Sequence, residues 1–323
     1  MPRPFDALLS VVVPCFNEQE VLRETHRRLS ASLDALSIDY EIVYVDDGSH
    51  DDTATILRSL QSDDDHVRVV RFSRNFGHQI AVTAGMDHAA GDAIVLIDSD
   101  LQDPPELIGE FLKRWREGYE VAYGQRTERD GETAFKRATA SAFYRLLRSV
   151  TSVDIPPDTG DFRLMDRQVV EAIRRMPEQD RFVRGMVSWV GFRQAAVPYR
   201  REARFAGISK YPFRRMLRLA IDAIVSFSPL PPRLASFTGL ATLGCAAAAL
   251  LVISALAIMG RGLSLGAVVL LAVLVLGGVQ LVAVGLLGEY VSRIYRQVQG
   301  RPLYVVRETC GFGGAPDALD RAA

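Results

Sequence analysis

Cysteine and histidine are scarce, with three Cys and five His in 323 residues. Cys15, Cys245 and Cys310 are far apart and form no metal-ligand pattern, and such sparse thiols suit a reducing compartment. His78 and His88 lack a partner pattern and read as helix surface or packing, as Trp115 and Trp189 read as packing. No internal repeat or low-complexity linker interrupts the chain. The opening "MPRPFDALLSVVVP" is too short for a signal peptide and is broken by Asp6, so the first ~230 residues are expected to stay in the cytosol. The largest deficit is of charge: between Gly239 and Leu287 only Arg261 is charged.

That uncharged stretch divides into Ser236–Met259 and Leu263–Leu287, each meeting the ~20 apolar residues that cross a bilayer, joined by "GRGLSLG". It reads as an antiparallel membrane hairpin, the alternative being a buried hairpin of a soluble protein. Arg214, Arg215, Arg218 and Arg233 precede it, and Arg293, Arg296, Arg301 and Arg307 follow it. The positive-inside rule then puts both termini in the cytoplasm, on a two-span protein of the inner membrane. The net charge of −1 hides an imbalance. Residues 1–130 hold 13 Lys and Arg against 25 Asp and Glu, and residues 131–233 hold 19 against 10. The acidic half suits a metal and the basic half phosphates, unless both are simply solvated faces.

Along the chain, strand-like and helix-like segments alternate. "LLSVVVPCF", "YEIVYVDDGS", "HVRVVRFS" and "AIVLID" read as strands, with helices at 18–36, 53–60 and 77–90 between them. This order predicts an α/β fold with a mostly parallel sheet flanked by helices, whose ligands bind beyond the strands' carboxyl ends. Polar residues close three strands: Asn17-Glu18, Asp46-Asp47 and Asp98-Ser99-Asp100. Residues i and i+2 of a strand end point the same way, so Asp98 and Asp100 can face one ion, and oxygen-only ligands suit Mg²⁺ or Mn²⁺. An Asp-x-Asp phosphohydrolase is the alternative, but it lacks its Thr and its early position. Asp47 suits the edge of a base or ribose, or a turn and helix cap. Further on come a basic helix, "TAFKRATASAFYRLLRSV", and the turn-rich "DIPPDTGDFRLMDRQVV". Residues 212–227 read as a basic amphipathic helix lying on a membrane surface. The tail after Gly311 is small and polar.

"VVVPCFNEQEVL", "VYVDDGSHDDT", "RNFGHQIAVTAGMDHAAGDAIVLIDSDLQDPPE", "TGDFRLMDR" and "FAGISKYP" together resemble the family 2 glycosyltransferases acting on polyprenyl phosphates. These include dolichol-phosphate mannosyltransferases and bactoprenol (undecaprenyl-phosphate) glucosyltransferases. The resemblance implies a GT-A fold and inverting transfer from a nucleotide-diphosphate sugar to a lipid phosphate, with UDP-glucose the donor of the bactoprenol subgroup. GDP-mannose, UDP-GalNAc, UDP-galactose and an aminoarabinose donor stay open. It also implies a homo-oligomer such as a tetramer; Gly277, Gly278, Gly285 and Gly288 would allow close helix packing in the membrane. Nucleic acid is not an expected partner.

By the same resemblance Asp98, Asp100 and Gln102 match the metal site, and Ser99 stands between them where many relatives have Ala. Asp47 matches the base-recognising position, while Pro14, Phe16 and Glu18 line the nucleoside. Arg126 matches a basic residue near the donor diphosphate. Arg201, Arg204, Ser209 and Lys210 match the acceptor-phosphate segment. Asp161 matches a position beside the reacting centre, as positioner or weak base, with a helix cap or an Arg163 salt bridge as the alternative. The implied layout is a catalytic domain at 1–207, a juxtamembrane acceptor-binding segment at 208–233, the hairpin at 234–290 and a cytosolic tail at 291–323. A polysaccharide synthase would need Gln-x-x-Arg-Trp, and Phe111 stands where Gln should be. A catalytically inactive membrane scaffold would leave Asp98, Asp100 and Gln102 without a role.

Overall fold

The computed structural model describes residues 7–127, 156, 159–200, 230–259 and 265–312, in two units. The first begins with β1 (Leu9–Cys15), α1 (Leu22–Asp34), β2 (Tyr40–Asp46), α2 (Thr53–Asp63) and β3 (Val67–Phe72). It continues with α3 (His78–His88), β4 (Ala93–Leu96), a 3-10 turn at Pro105–Leu107, α4 (Ile108–Arg116) and β5 (Val121–Arg126). β6 (Thr159–Asp166), α5 (Arg167–Arg174), α6 (Val183–Trp189) and β7 (Gln194–Tyr199) follow, and β8 (Val306–Cys310) returns from the far end of the chain. The sheet order is β7-β5-β6-β4-β1-β2-β3-β8, with β6 and β8 antiparallel to the other six. Every residue of β1, β2 and β4 is buried, as parallel strands covered on both faces require.

The chain runs outward from β1 through β2 to β3, then crosses back to lay β4 on β1's other edge. This reversal opens a crevice where the loops after Cys15 and Leu96 diverge, the usual ligand position of such sheets. Two buried pairs tie the elements together: Ser10 Oγ donates to Glu41 Oε1 at 2.6 Å, and Trp115 Nε1 donates to Asp166 Oδ2 at 2.9 Å. The other Asp166 oxygen accepts from Gln168 N at 2.9 Å, capping α5.

Several expectations change. β4 stops at Leu96 and Leu101 has φ +56°, so Asp98 lies past the strand, Asp100 lies in the turn that follows, and the strand periodicity that aligned them does not apply. Thr159–Asp166, read as turn-rich, is a wholly buried strand between β4 and β5. Its polar residues look like a loop until two neighbouring strands satisfy its backbone. Val306–Cys310, expected in a tail, pairs antiparallel with β3, and Arg58 grips Glu308 bidentately at 3.0 and 2.7 Å. Trp115 is buried as expected, whereas Trp189 is 62% exposed.

The second unit holds α7 (Leu230–Ile258) and α8 (Leu265–Val298), which pack on each other. Both present exposed apolar side chains, among them Leu251, Val252, Leu270 and Leu281. Among the described residues one helix, over Val268–Val298, is long and apolar enough to cross a membrane, and the apolar part of α7, Gly239–Ala255, is shorter. A hairpin of two full spans is therefore not established by these helices. The expected basic helix after Gly131, the amphipathic segment at 212–227 and Arg261 lie outside the described residues.

α3 can lie close on β1 because Gly85 has no side chain: a Cβ there would stand 2.1 Å from Val12 Cγ1. In an open helix Gly→Ala gains about 1 kcal/mol, but overpacking a filled core costs about 1–3 kcal/mol. Gly85→Ala is therefore expected to lower the thermal midpoint of the purified protein, against the helix-propensity trend.

Candidate active site

The crevice is built by interlaced loops. Asn17, at φ +54°, turns the chain after β1; its N–H donates to Ser49 Oγ and its side-chain oxygen accepts from His50 N, both at 2.9 Å. Glu18 N donates to Thr53 Oγ1 at 2.9 Å, and Phe16 meets the edge of His50. These bonds bring the loop of Pro14, Phe16 and Glu18 beside that of Asp47. The Asp47 carboxylate accepts from the N–H groups of Phe76 (2.6 Å) and Gly77 (2.9 Å). Burial nevertheless pushes its pKa up to about 6. Gly48 completes the turn at φ +67°, and a Cβ there would lie 2.4 Å from the Arg74 backbone. Asp47 thus fastens the segment that leads into α3.

α3 delivers His78 and Gln79 to the centre. His78 Nε2 lies 3.2 Å from Asp161 Oδ2 and 3.6 Å from Asp98 Oδ1. Because an ionised carboxylate only accepts, Nε2 carries the proton. Gln79 Nε2 donates to Asp161 Oδ2 at 3.1 Å, while its oxygen accepts from Val183 N at 2.9 Å at the start of α6. At the second residue of α6, Arg184 donates to Asp161 through Nε (2.6 Å to Oδ1) and Nη2 (3.2 Å to Oδ2). Burial alone would raise the Asp161 pKa, but the Arg184 charge and the His78 bond hold it well below the usual carboxylate range. Asp161 is neither a helix cap nor paired with Arg163. It sits inside β6, and the buried Arg163 donates to the Gly160 carbonyl at 2.9 Å.

Arg126, at the end of β5, donates Nε to Tyr199 OH at 3.2 Å, and its Nη2 lies 3.7 Å from Asp103 Oδ1. Tyr199 OH donates to the same Asp103 oxygen. Asp103, one residue beyond Gln102, is the carboxylate that orients Arg126. Gly160 makes room for it: a Cβ there would be 2.7 Å from Arg126 Nη2.

The structure thus places Asp98, Asp161 and Arg126 around one crevice. Asp100 accepts from Gln102 N at 3.1 Å within its turn, and the Ser99 carbonyl accepts from Thr25 Oγ1 at 2.7 Å. Arg201, Arg204, Ser209 and Lys210 lie outside the described residues. Reading the sequence missed His78, Gln79, Asp103, Arg184 and Tyr199. Only Asp103 carried a local signal, inside "DLQDPPE"; the others meet Asp161 and Arg126 from distant segments.

The donor set fits a hard divalent cation. Burial raises the Asp98 pKa to about 6; His78 opposes the rise, and the charges of Asp103, Asp161 and Asp100 add to it. A cation would relieve that crowding. Among the described residues no three His, Cys, Asp or Glu side chains converge as a complete metal cage. Mg²⁺-type sites commonly take one or two carboxylates and complete their shell with substrate phosphate and water.

A mostly parallel sheet with acidic and basic side chains gathered past its carboxyl ends is the arrangement of an α/β enzyme. Residues 10–174 match the model of Glycosyl transferase family 2. The glycosyltransferase YkcC of Bacillus subtilis (strain 168) is 49% identical over 94% of both chains. The bactoprenol glucosyl transferase of Shigella phage SfII is 39% identical over 93% of this chain and 98% of its own. Mannosyl-3-phosphoglycerate synthase from Rubrobacter xylanophilus superposes with a TM-score of 0.47 at 17% identity, over 68% of this chain and 72% of that one. The chain belongs to glycosyltransferase family 2 and is a glycosyltransferase.

Burial works against the His78 imidazolium, but the bond to Asp161 and the charges of Asp98 and Asp161 outweigh it and raise its pKa to about 9 from an ordinary 6.5. A raised folded-state pKa stabilises the fold fully below the unfolded value, and the gain is lost as pH rises through the folded one. In chelator-treated protein the thermal midpoint is therefore expected to fall between about pH 6.5 and 9, and His78→Gln is expected to flatten that fall.

Proposed function

We propose that the protein transfers a sugar, with inversion, from a nucleotide-diphosphate sugar to a polyprenyl phosphate at the cytoplasmic face of the membrane. The observation that carries this reading is the meeting of both charges: Asp98 is crowded by the charges of Asp103, Asp161 and Asp100, and Asp103 and Asp161 in turn hold Arg126 and Arg184. Such a site suits a substrate that arrives as a phosphate with its cation. The 39% identity to a bactoprenol glucosyl transferase supports a lipid acceptor and a glucosyl group, and UDP-glucose is the donor of this proposal.

In this reading Pro14, Phe16, Glu18 and Asp47 line the nucleoside, and Asp98, Asp100 and Gln102 hold Mg²⁺ or Mn²⁺ with Ser99 between them. A metal held there would supply positive charge to a departing diphosphate. Arg126, held rigid by Asp103 and Tyr199, would add a fixed guanidinium, and preorganised charge of this kind lowers barriers without reorganisation. The acceptor phosphate is already anionic, so it needs orientation more than deprotonation. Arg201, Arg204, Ser209 and Lys210 are the residues for that task.

Both α7 and α8 span the bilayer in this proposal, with the catalytic unit and both chain ends in the cytoplasm. The exposed apolar side chains of the two helices and the single charge between Gly239 and Leu287 support it. The glycines of α8 suit a homo-oligomer such as a tetramer.

Purified protein in detergent, given Mg²⁺, undecaprenyl phosphate and a panel of nucleotide sugars, is expected to release nucleotide and form a glycolipid from one donor, read by mass spectrometry. Asp98→Asn is expected to reduce the rate by about 100-fold or more, the scale of losing a transition-state electrostatic contact. Nucleotide release that does not require the lipid would indicate a hydrolase and overturn the proposal.

A further inference from the structure

The Thr159–Asp161 end of β6 receives two guanidiniums on consecutive residues. Arg184 donates Nη1 to the Thr159 carbonyl at 3.3 Å and binds Asp161 through its other nitrogens. Arg126 comes from β5 and lies over Gly160, where only a missing Cβ leaves space for Nη2. Two like charges on one strand end repel each other, and each is offset by its own carboxylate. Those carboxylates are sealed, with side-chain exposures of 1% for Asp103 and 6% for Asp161, whereas Arg126 and Arg184 keep 17% and 31%. At this strand end the exposed charge is therefore that of the two guanidiniums, while the neighbouring Asp98 side chain is itself 32% exposed. Planar guanidiniums fixed in this way suit phosphate oxygens, which they bind in bidentate fashion.

We infer that Arg184 is a phosphate-binding residue of this site, forming with Arg126 a two-guanidinium cradle across Gly160, and that Asp161 is the positioning residue for Arg184. The inference rests on the transferase reading. The arrangement argues against Asp161 as a base: its two oxygens accept from Arg184 Nε and Nη2, His78 and Gln79, and taking a proton would break those bonds. Its ionised form is what holds Arg184 in place. The ligand is a phosphate group, and the donor's diphosphate and the acceptor's lipid phosphate both supply that chemistry.

The test is a double-mutant cycle on the full-length enzyme with Mg²⁺, the active nucleotide sugar and undecaprenyl phosphate. Activity of the wild type decides the transferase reading; the variants decide this one. Arg184→Gln is expected to raise one KM about 10- to 100-fold, the scale of a lost charged hydrogen bond. A rise for the nucleotide sugar together with weaker inhibition by UDP assigns Arg184 to the diphosphate, and a rise for undecaprenyl phosphate assigns it to the acceptor. Asp161→Asn is expected to be costly alone and to cost clearly less in the Arg184→Gln background, where only its bonds to His78 and Gln79 are left to lose, because residues acting as one unit are not additive. Added guanidinium ion is expected to restore part of the rate of Arg184→Ala and none of Asp161→Asn. Arg184→Lys, which keeps the charge and loses the fork, carries the same measurements if the Gln variant does not fold. Unchanged KM values and UDP inhibition in the Arg184 variants would overturn the inference. So would an Asp161→Asn penalty as large in the Arg184→Gln background as in the wild type, since that would make Asp161 act directly.

Discussion

A carboxylate inside a β-sheet persists only when donors replace the water it has lost. Asp161 has such donors from three side chains on two helices, and the site depends on that arrangement. Arg184 binds it from α6, and His78 and Gln79 bind it from α3. Gln79 also accepts from the backbone at the start of α6, so the two helices are tied to each other as well as to β6. Asp47 holds the N–H groups just before α3, and Gly85 lets the helix settle on β1. The position of one histidine is thereby referred back to the centre of the sheet.

The same principle is applied a second time on the neighbouring strand. Asp103 holds Arg126 and Tyr199 as Asp161 holds Arg184 and His78, and Gly160 stands between the two assemblies. Each buried acid keeps a basic group rigid and partly open to solvent. Asp98 is the exception, a carboxylate crowded by others of its kind with His78 as its nearby counter-charge. That imbalance is what makes it a fitting partner for a cation that travels with a diphosphate.

Legibility in the sequence followed locality. The strands of the parallel half were visible because each is a short run rich in Val and other apolar residues, and β1, β2 and β4 are buried along their whole length. Asp98 and Asp100 were visible because they close such a run, although the reason first given for their alignment fails once β4 ends at Leu96. β6 was obscured because Thr159, Gly160 and Asp161 have the composition of a turn. β8 was obscured because its pairing partner, β3, lies more than 200 residues away. His78 looked like a lone histidine, since Asp161 is 83 residues further along the chain.

The sequence by itself determined the class of fold, the acidic loop at the end of β4 and the long uncharged stretch that forms α7 and α8, because these depend on residues adjacent in the chain. Only the tertiary structure decided which charges meet. Arg184, rather than the nearby Arg163, pairs with Asp161, and Asp103 orients Arg126. Electrostatic partners are chosen by distance in space and by the loss of water, and a one-dimensional pattern carries neither.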